Sequence, residues 1–257
     1  MSHPTWNLET RLRHVARALR AALRPNPAPF PTDAPPEKIF TFRHHQIRLE
    51  VPHRVFGPDT WRSLNDGTYE EGEMEMLGRL LRPNDTVLEL GAALGLVSAR
   101  VAATPGVQRV VAVEANPQLI PVAQRTYALN GVQVELINAV VSHEDGEIDF
   151  YIHPEFWASS TEPREGAERV RLPARSLSGL LKEVQPDVLI VDIEGGEVAL
   201  LEGMRLPGVR QVVLEVHRWA TGLRGIARVF VSMAEAGFAY EPEFSSGQIV
   251  TFGRQEH

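Results

Sequence analysis

The sequence predicts an α/β fold: a doubly wound, mostly parallel sheet of seven strands that ends in an antiparallel hairpin. Three observations predict it: short apolar runs alternate with helical patterns, glycines follow the first core run directly, and two strand-like segments close the chain. Alternation of this kind is typical of a parallel sheet with helices on both faces. The predicted strands span residues 87–90, 109–114, 132–141, 187–193, 211–216, 240–244 and 248–252.

The central stretch is residues 86–98, in which an apolar run is followed by Gly91 and Gly95. Glycine directly after a buried strand lets the backbone turn sharply and lets a ligand approach the main chain. The next apolar run ends at Glu114, about 20 positions after the glycines, where doubly wound folds place the acid that binds ribose hydroxyls. The Glu-x-Gly-x-x-x-Gly spacing differs from G-x-G-x-x-G and suits a ligand without a pyrophosphate.

Composition narrows the class of protein. The 257 residues are 43% hydrophobic, which is enough for one large α/β domain with additions. A net charge of -7 and a pI of about 5.7 do not favour nucleic acid as a bulk electrostatic partner. The absence of cysteine excludes disulfides, thiolate catalysis and cysteine-ligated zinc. We find no transmembrane run and no secretory signal pattern, so a cytoplasmic protein is expected.

Residues 1–66 are predicted to be an extension before the main domain at 67–257. Residues 7–24 form a basic amphipathic helix whose leucine stripe would pack on the domain, on a second copy of the chain or on another partner; a membrane surface is the alternative. Residues 25–36 are proline-rich and should form a stiff linker. Strands at 38–42 and 46–51 would follow, joined at His44 and His45, which we interpret as solvent-exposed turn residues.

The remaining elements follow from helical periodicity and capping residues. Asn116 and Ser176 are predicted to cap the helices that they precede. The predicted helices span 59–64, 71–81, 97–101, 116–129, 176–184, 196–204 and 226–236, and a further strand pair spans 147–152 and 169–172.

Four segments together resemble the FkbM-type family of class I methyltransferases that use S-adenosylmethionine (SAM). They are Tyr69-Glu70, the loop at 89–95, the segment 113–117 and above all the block Val-Asp-Ile-Glu-Gly-Gly-Glu at 191–197. The resemblance covers about residues 67–252 and implies a Rossmann-like fold. The chain departs from the family pattern at Glu89 and Ala93, where Asp and Asn are more usual, and Ala93 can supply no polar side-chain contact.

The resemblance implies methyl transfer from SAM, commonly to a hydroxyl of a small molecule or sugar-containing natural product. Glu89 would help to hold the ammonium group, although capping is the alternative, and Glu114 would take the ribose hydroxyls. Asn138 lies where the adenine edge is expected but could equally be a satisfied turn residue, and Tyr69 could close over the cofactor or simply pack. The full set of expected cofactor residues is Tyr69, Glu89, Gly91, Ala92, Gly95, Glu114, Ala115, Asn138, Ala139 and Asp192.

Asp192, Glu194 and His217 are the candidate catalytic residues, because all three follow strand ends, where ligands bind in open α/β sheets. His217 is the candidate base by its intrinsic pKa and Asp192 by its placement. Oxygen ligands from Asp192 and Glu194 would also suit Mg²⁺ or Ca²⁺, although a metal is not favoured. Glu197, in the first turn of a helix, is at least as well explained by the helix dipole.

The polar loop at 153–166 is a candidate lid for the acceptor, with Trp157, Ser159 and Ser160 as binding residues. Three functions are weighed: O-methylation of a small hydroxylated compound, N-methylation of an amine or a protein, and a non-catalytic SAM-binding module. The glycine spacing argues against a dehydrogenase.

Overall fold

The computed structural model describes residues 28–255. Its twelve strands are β1 Ile39–His44, β2 Ile47–Pro52, β3 Thr86–Leu90, β4 Arg109–Glu114, β5 Glu135–Asn138, β6 Val140–Ser142, β7 Gly146–Ile152, β8 Glu168–Ser176, β9 Val188–Val191, β10 Gln211–Glu215, β11 Phe238–Tyr240 and β12 Ile249–Arg254. Its seven α-helices are α1 Pro58–Asp66, α2 Glu71–Leu80, α3 Leu96–Ala102, α4 Ile120–Asn130, α5 Leu177–Val184, α6 Glu197–Leu201 and α7 Arg218–Glu235.

The main sheet has seven strands in the order β11-β12-β10-β9-β3-β4-β5. Strands β10, β9, β3, β4 and β5 run parallel to one another, and β12 lies antiparallel between β10 and β11. The predicted fold class, including the antiparallel end of the sheet, is therefore confirmed. The strand predicted at 240–244 is wrong in its bounds, because the strand ends at Tyr240 and Pro242–Phe244 form a 3₁₀ turn. Because β3 lies between β9 and β4, the loops that follow these three strands meet at one edge.

Both faces of the sheet are buried, which explains the continuous apolar runs. Along β9, Val188 and Ile190 join one hydrophobic cluster and Leu189 and Val191 join the other. Successive strand residues point to opposite faces, so each run must be apolar throughout.

The third predicted strand is corrected by the structure. Residues 132–141 do not form one strand: β5 belongs to the main sheet, whereas β6 pairs with β8 in a separate three-stranded sheet of order β6-β8-β7. Ala139 separates the two and is buried at the junction. The predicted pairing of 147–152 with 169–172 is confirmed by the antiparallel β7–β8 ladder.

The predicted hairpin forms as β1 and β2 and packs directly on α4, with Leu49 and Val51 fully buried. His44 is buried, not exposed, and its ring nitrogen bonds the carbonyl of Leu64 at 2.8 Å. His45 is exposed in the turn, as predicted. The predicted helix at 7–24 lies outside the described residues.

The end of the proline-rich segment packs against the folded domain. Phe30 packs against Trp61, with ring centroids 6.3 Å apart, and the Trp61 indole donates a hydrogen bond to the carbonyl of Ala28 at 2.7 Å. From Ala28 onward the segment is therefore attached to the hairpin and α1.

Two helix starts differ from the predictions. The side chain of Asn116 accepts from the backbone N–H of Gln118, and α4 begins only at Ile120. Helix α7 begins at Arg218, eight residues before the predicted start, and is kinked at Gly222, where φ is 64°. Ser176 caps α5 as predicted. Within residues 28–255, no helix has the length and apolarity needed to cross a bilayer.

Candidate active site

A cavity of about 860 Å³ opens at the carboxyl ends of the parallel strands. This is the edge at which open α/β sheets bind ligands. Ten of the predicted site residues line it: Tyr69, Gly91, Glu114, Ala115, Ala139, Trp157, Ser159, Ser160, Asp192 and Glu194. Five do not: Glu89, Ala92, Gly95, Asn138 and His217. Of the predicted residues in the glycine loop, only Gly91 lines the cavity.

Gly91 lies where the loops after β3 and β9 touch. Its φ is 92°, and a Cβ on it would lie 1.7 Å from the carbonyl oxygen of Asp192. Hydrogen bonds hold both sides: Gly91 N–H donates to Val113 at 2.8 Å, and Asp192 N–H donates to Leu90 at 2.9 Å. Glycine is therefore required here for backbone packing as well as for any approach of a ligand.

Glu114 ends β4 with its carboxylate on the cavity wall. Oε2 accepts a hydrogen bond from the backbone N–H of Ala93 at 2.8 Å, and Oε1 accepts one from Asn116 at 2.6 Å. Burial raises the pKa of Glu114, and these backbone hydrogen bonds offset part of that effect. Because the two oxygens of a carboxylate can together accept about four hydrogen bonds, Glu114 keeps acceptor capacity for a ligand.

Three of the predicted cofactor residues serve packing instead of facing the cavity. The Asn138 side chain donates to the carbonyls of Glu114 and Ala115 at 2.8 and 2.9 Å, which matches the satisfied-turn alternative. A Cβ on Gly95 would lie 2.8 Å from the ring of Tyr127, so this glycine lets α3 approach α4. Ala92 is buried, and its N–H donates to the carbonyl of Val113.

Glu89 is enclosed below the cavity. It is 2% exposed, one of its oxygens has no hydrogen-bond partner among the described residues, and Ser98 contacts the carboxylate from the first turns of α3. Burial raises the pKa of Glu89 to about 8, with Ser98 acting in the opposite direction. The geometry favours the capping alternative over direct contact with a cofactor.

We expect Glu89 to make the folded chain less stable as the pH rises. In the folded state its pKa is about 8 against an ordinary 4.5, so between these values the folded chain holds a proton that the unfolded chain has released. The contribution of Glu89 to the free energy of unfolding is fully present below about pH 4.5 and is lost as the pH rises to about 8. The free energy of unfolding of Glu89→Gln, relative to that of the wild type, should therefore increase by roughly 3–5 kcal/mol between about pH 5 and pH 9.

Chemical denaturation across this pH range measures the difference. Glu168→Gln, at an exposed position that begins β8, controls for the loss of one charge. A constant difference between Glu89→Gln and the wild type at every pH would contradict the prediction.

His217 lies beside the cavity in a ring of carboxylates. Nε2 is 3.0 Å from Glu194 Oε2 and 3.5 Å from Asp192 Oδ1, while Nδ1 is 2.9 Å from Glu197 Oε1. Glu197 also accepts the N–H of Gly195 at 3.0 Å and is 1% exposed. This glutamate therefore orients the imidazole and ties the 191–197 block to the start of α7.

This geometry argues against His217 as the general base. Burial alone would lower its pKa, but hydrogen bonds and charges from Glu194 and Glu197 outweigh burial and raise the pKa to about 10. The imidazole is therefore protonated near neutral pH and has no free lone pair to accept a proton. We interpret His217 as a cation that positions Glu194 and Asp192.

Three further acidic residues line the cavity: Glu70, Glu73 and Glu215. None of them was predicted from the sequence to be catalytic. Burial and the charge of Glu215 raise the pKa of Glu70 to about 8, although Tyr69 acts against this. Burial and the charges of Glu194 and Glu215 likewise raise the pKa of Asp192. The strand-end rule could have found Glu215, whereas Glu73 lies inside α2 and has no sequence signal.

The candidate lid is a short 3₁₀ turn at Phe156–Ala158 that covers one side of the cavity. Its Glu155 carboxylate accepts hydrogen bonds from the N–H groups of Gly57 and Asp59, at 3.2 and 3.3 Å, at the start of α1. Trp157 meets Trp219 edge to face at a centroid distance of 6.0 Å. The loop is thus an ordered wall that joins the β7–β8 sheet to the N-terminal region.

The doubly wound sheet defines the chain as a Rossmann-like α/β protein, with a cavity at its strand ends. A model of the methyltransferase FkbM domain matches residues 89–240, more than half of the chain. The chain therefore belongs to the FkbM methyltransferase family. No curated protein matches it significantly.

The chain is similar to several solved structures at low sequence identity. A protein from Streptococcus mutans described as a candidate SAM-dependent methyltransferase is 11% identical, with a TM-score of 0.50 over 86% of this chain and 55% of that one. The Pyrococcus abyssi tRNA (uracil-54, C5)-methyltransferase in complex with S-adenosyl-L-homocysteine is 14% identical, with a TM-score of 0.49 over 84% of this chain and 42% of that one. The Geobacter metallireducens precorrin-6y C5,15-methyltransferase is 15% identical, with a TM-score of 0.44 over 74% and 88%.

Proposed function

We propose that the protein binds SAM in this cavity and methylates a hydroxyl oxygen of a small molecule or sugar-containing natural product. The observation that carries the proposal is that Gly91, Glu114, Asp192 and Glu194 all line one cavity. The volume of about 860 Å³ lies within the roughly 300–1,000 Å³ typical of small-molecule sites.

The residues present fit this cofactor. Glu114 is fixed by backbone N–H groups and keeps acceptor capacity, which suits the hydroxyls of a ribose. Ala115 and Ala139 offer small apolar walls beside it. When bound, SAM supplies an electrophilic methyl group on a positively charged sulfur.

The acidic wall supplies what a hydroxyl acceptor needs. Asp192 and Glu194 follow β9 and line the cavity, so they can orient a hydroxyl and take its proton as its oxygen bonds to the methyl carbon. Positioning of the acceptor by these groups and by the Trp157 wall would supply much of the acceleration, on the order of 7–11 kcal/mol.

Calorimetric titration with SAM tests the cofactor assignment. We expect the wild-type chain to bind SAM and Glu114→Gln to bind it about 10–100-fold more weakly, because a charge-assisted hydrogen bond contributes roughly 1.5–3 kcal/mol. Glu135→Gln is the matched control, because Glu135 is exposed at the opposite end of the neighbouring strand β5.

Circular dichroism must show that all three proteins are folded, since Gln can accept only one of the two N–H groups that Glu114 holds. No heat of SAM binding to folded wild-type protein at millimolar ligand would overturn the proposed function. If Glu114→Gln binds SAM as tightly as the wild type does, Glu114 does not bind the ribose, but the proposed function still stands.

A further inference from the structure

An acidic cluster occupies the cavity wall between the start of α2 and the ends of β9 and β10. It consists of Glu70, Glu73, Asp192 and Glu215, and we call it the carboxylate cluster. One oxygen each of Glu70, Glu73 and Asp192 lies within 4.8 Å of the others, and Asp192, Glu215 and a nitrogen of His217 form a second group within the same limit. Asp192 belongs to both groups, so the four carboxylates share one space.

The charges of this cluster are not balanced by side chains. Among residues 28–255, no lysine or arginine forms an ion pair with any of the four acids. His217 is the one cationic partner, at 3.5 Å from Asp192 and 4.0 Å from Glu215. That imidazole is already held closer by Glu194 and Glu197, at 3.0 and 2.9 Å. Like charges this close repel strongly unless a cation or protons neutralise them.

Glu73 supplies an independent observation. Its side chain reaches the cluster from inside α2 and is 5% exposed, yet Oε1 has no hydrogen-bond partner among the described residues. Buried polar atoms in folded proteins are nearly always hydrogen-bonded, and an exception requires an explanation such as an ion. Asp192, a member of the same group, also has an oxygen, Oδ1, without a hydrogen bond.

We propose that the carboxylate cluster binds one divalent cation of the Mg²⁺ or Mn²⁺ class, with Glu70, Glu73 and Asp192 as ligands and Glu215 closing the site. Carboxylate oxygens are the ligands that such hard cations prefer. The site differs from the Asp192–Glu194 pair that the sequence suggests for a metal, because Glu194 is engaged by His217 at 3.0 Å.

The cation would act on the acceptor hydroxyl in the methyl transfer, and this role rests on the proposed function. Asp192 and Glu70 line the cavity that would hold the acceptor, so a cation between them would present a positive centre to an acceptor oxygen. Coordination lowers the pKa of a bound hydroxyl. Glu194, which is not a ligand, contacts His217 through Oε2 and would accept the proton on its other oxygen.

The test is a titration of the full chain with Mn²⁺, followed by the loss of the free-ion signal in electron paramagnetic resonance and without SAM present. We expect one bound Mn²⁺ per chain, displaced by excess Mg²⁺. Glu73→Gln and Asp192→Asn should each weaken binding by about tenfold or more, since even a change behind a metal ligand has a cost of that order. Glu75→Gln, on the exposed face of the same helix, should bind as the wild type does.

Circular dichroism establishes the fold of each variant, and two ligand variants keep the test valid if one does not fold. No Mn²⁺ binding at millimolar concentration by a chain that binds SAM would overturn the cation site and leave the proposed function standing. Wild-type Mn²⁺ affinity in folded Glu73→Gln would also overturn it. If spermidine binds and Mn²⁺ does not, the cluster is a site for an organic ammonium group and the metal proposal is wrong.

Discussion

Gly91→Ala is expected to unfold or severely destabilise the protein, by more than about 3 kcal/mol. The new Cβ would lie 1.7 Å from the carbonyl oxygen of Asp192 and 2.8 Å from its carbonyl carbon. Neither backbone can move away easily, because hydrogen bonds to Val113 and Leu90 fix both. The positive φ of 92° adds strain. Thermal denaturation and the yield of folded protein measure the effect.

Gly131→Ala is the matched control for this clash. Gly131 also has a positive φ, 64°, but a Cβ on it would meet nothing within 4 Å. It should therefore lose about 1–2 kcal/mol from backbone strain alone. If the two variants lose equal stability, the contact between the β3 and β9 loops is not what requires glycine at position 91.

The fold was predictable because its strands carry a strong local signal. Strands β3, β4, β9 and β10 are buried on both faces, so each reads as an apolar run whatever its neighbours are. The break at Ala139 had no such signal, because the residues on both sides of it are strand-like and only the tertiary structure sends them to different sheets. The early start of α7 was missed because Gly222 interrupts the helical pattern.

The site was predictable to the extent that it depends on strand ends. Gly91, Glu114 and Asp192 follow or end parallel strands and line the cavity. Gly95 matches the sequence pattern equally well but faces α4, because a motif fixes the path of the chain and not which atoms remain exposed. Glu73 could not be found, since its place in the carboxylate cluster depends on how α2 packs.

The ionisation state of His217 was also beyond the sequence. An isolated imidazole titrates near neutrality, which made it a natural candidate for the base. Two glutamates that are separated from it by 20 and 23 residues, one buried and one half-buried, reverse that expectation, because they stabilise the charged ring. The acid–base role in the proposed reaction therefore passes to the carboxylates.

Asp192→Asn is expected to lower the turnover of a hydroxyl acceptor by about 10²–10⁴-fold while leaving SAM affinity nearly unchanged. The amide keeps the shape of the side chain but can neither take a proton nor bring a negative charge to the cavity. The backbone carbonyl that packs on Gly91 is retained. Release of S-adenosylhomocysteine with a panel of hydroxylated small molecules and sugars measures turnover, and Asp149→Asn, on β7, serves as a control.

The same variant separates the two classes of acceptor. An amine needs no strong base, so N-methylation should lose little turnover in Asp192→Asn, whereas O-methylation should lose most of it.

Comparison with Glu73→Gln separates proton transfer from cation binding. Equal losses of turnover in the two variants would mean that Asp192 acts through the cation, and a larger loss in Asp192→Asn would mean that Asp192 also takes the proton. Turnover of a hydroxyl acceptor within a few-fold of the wild type would exclude Asp192 from both roles.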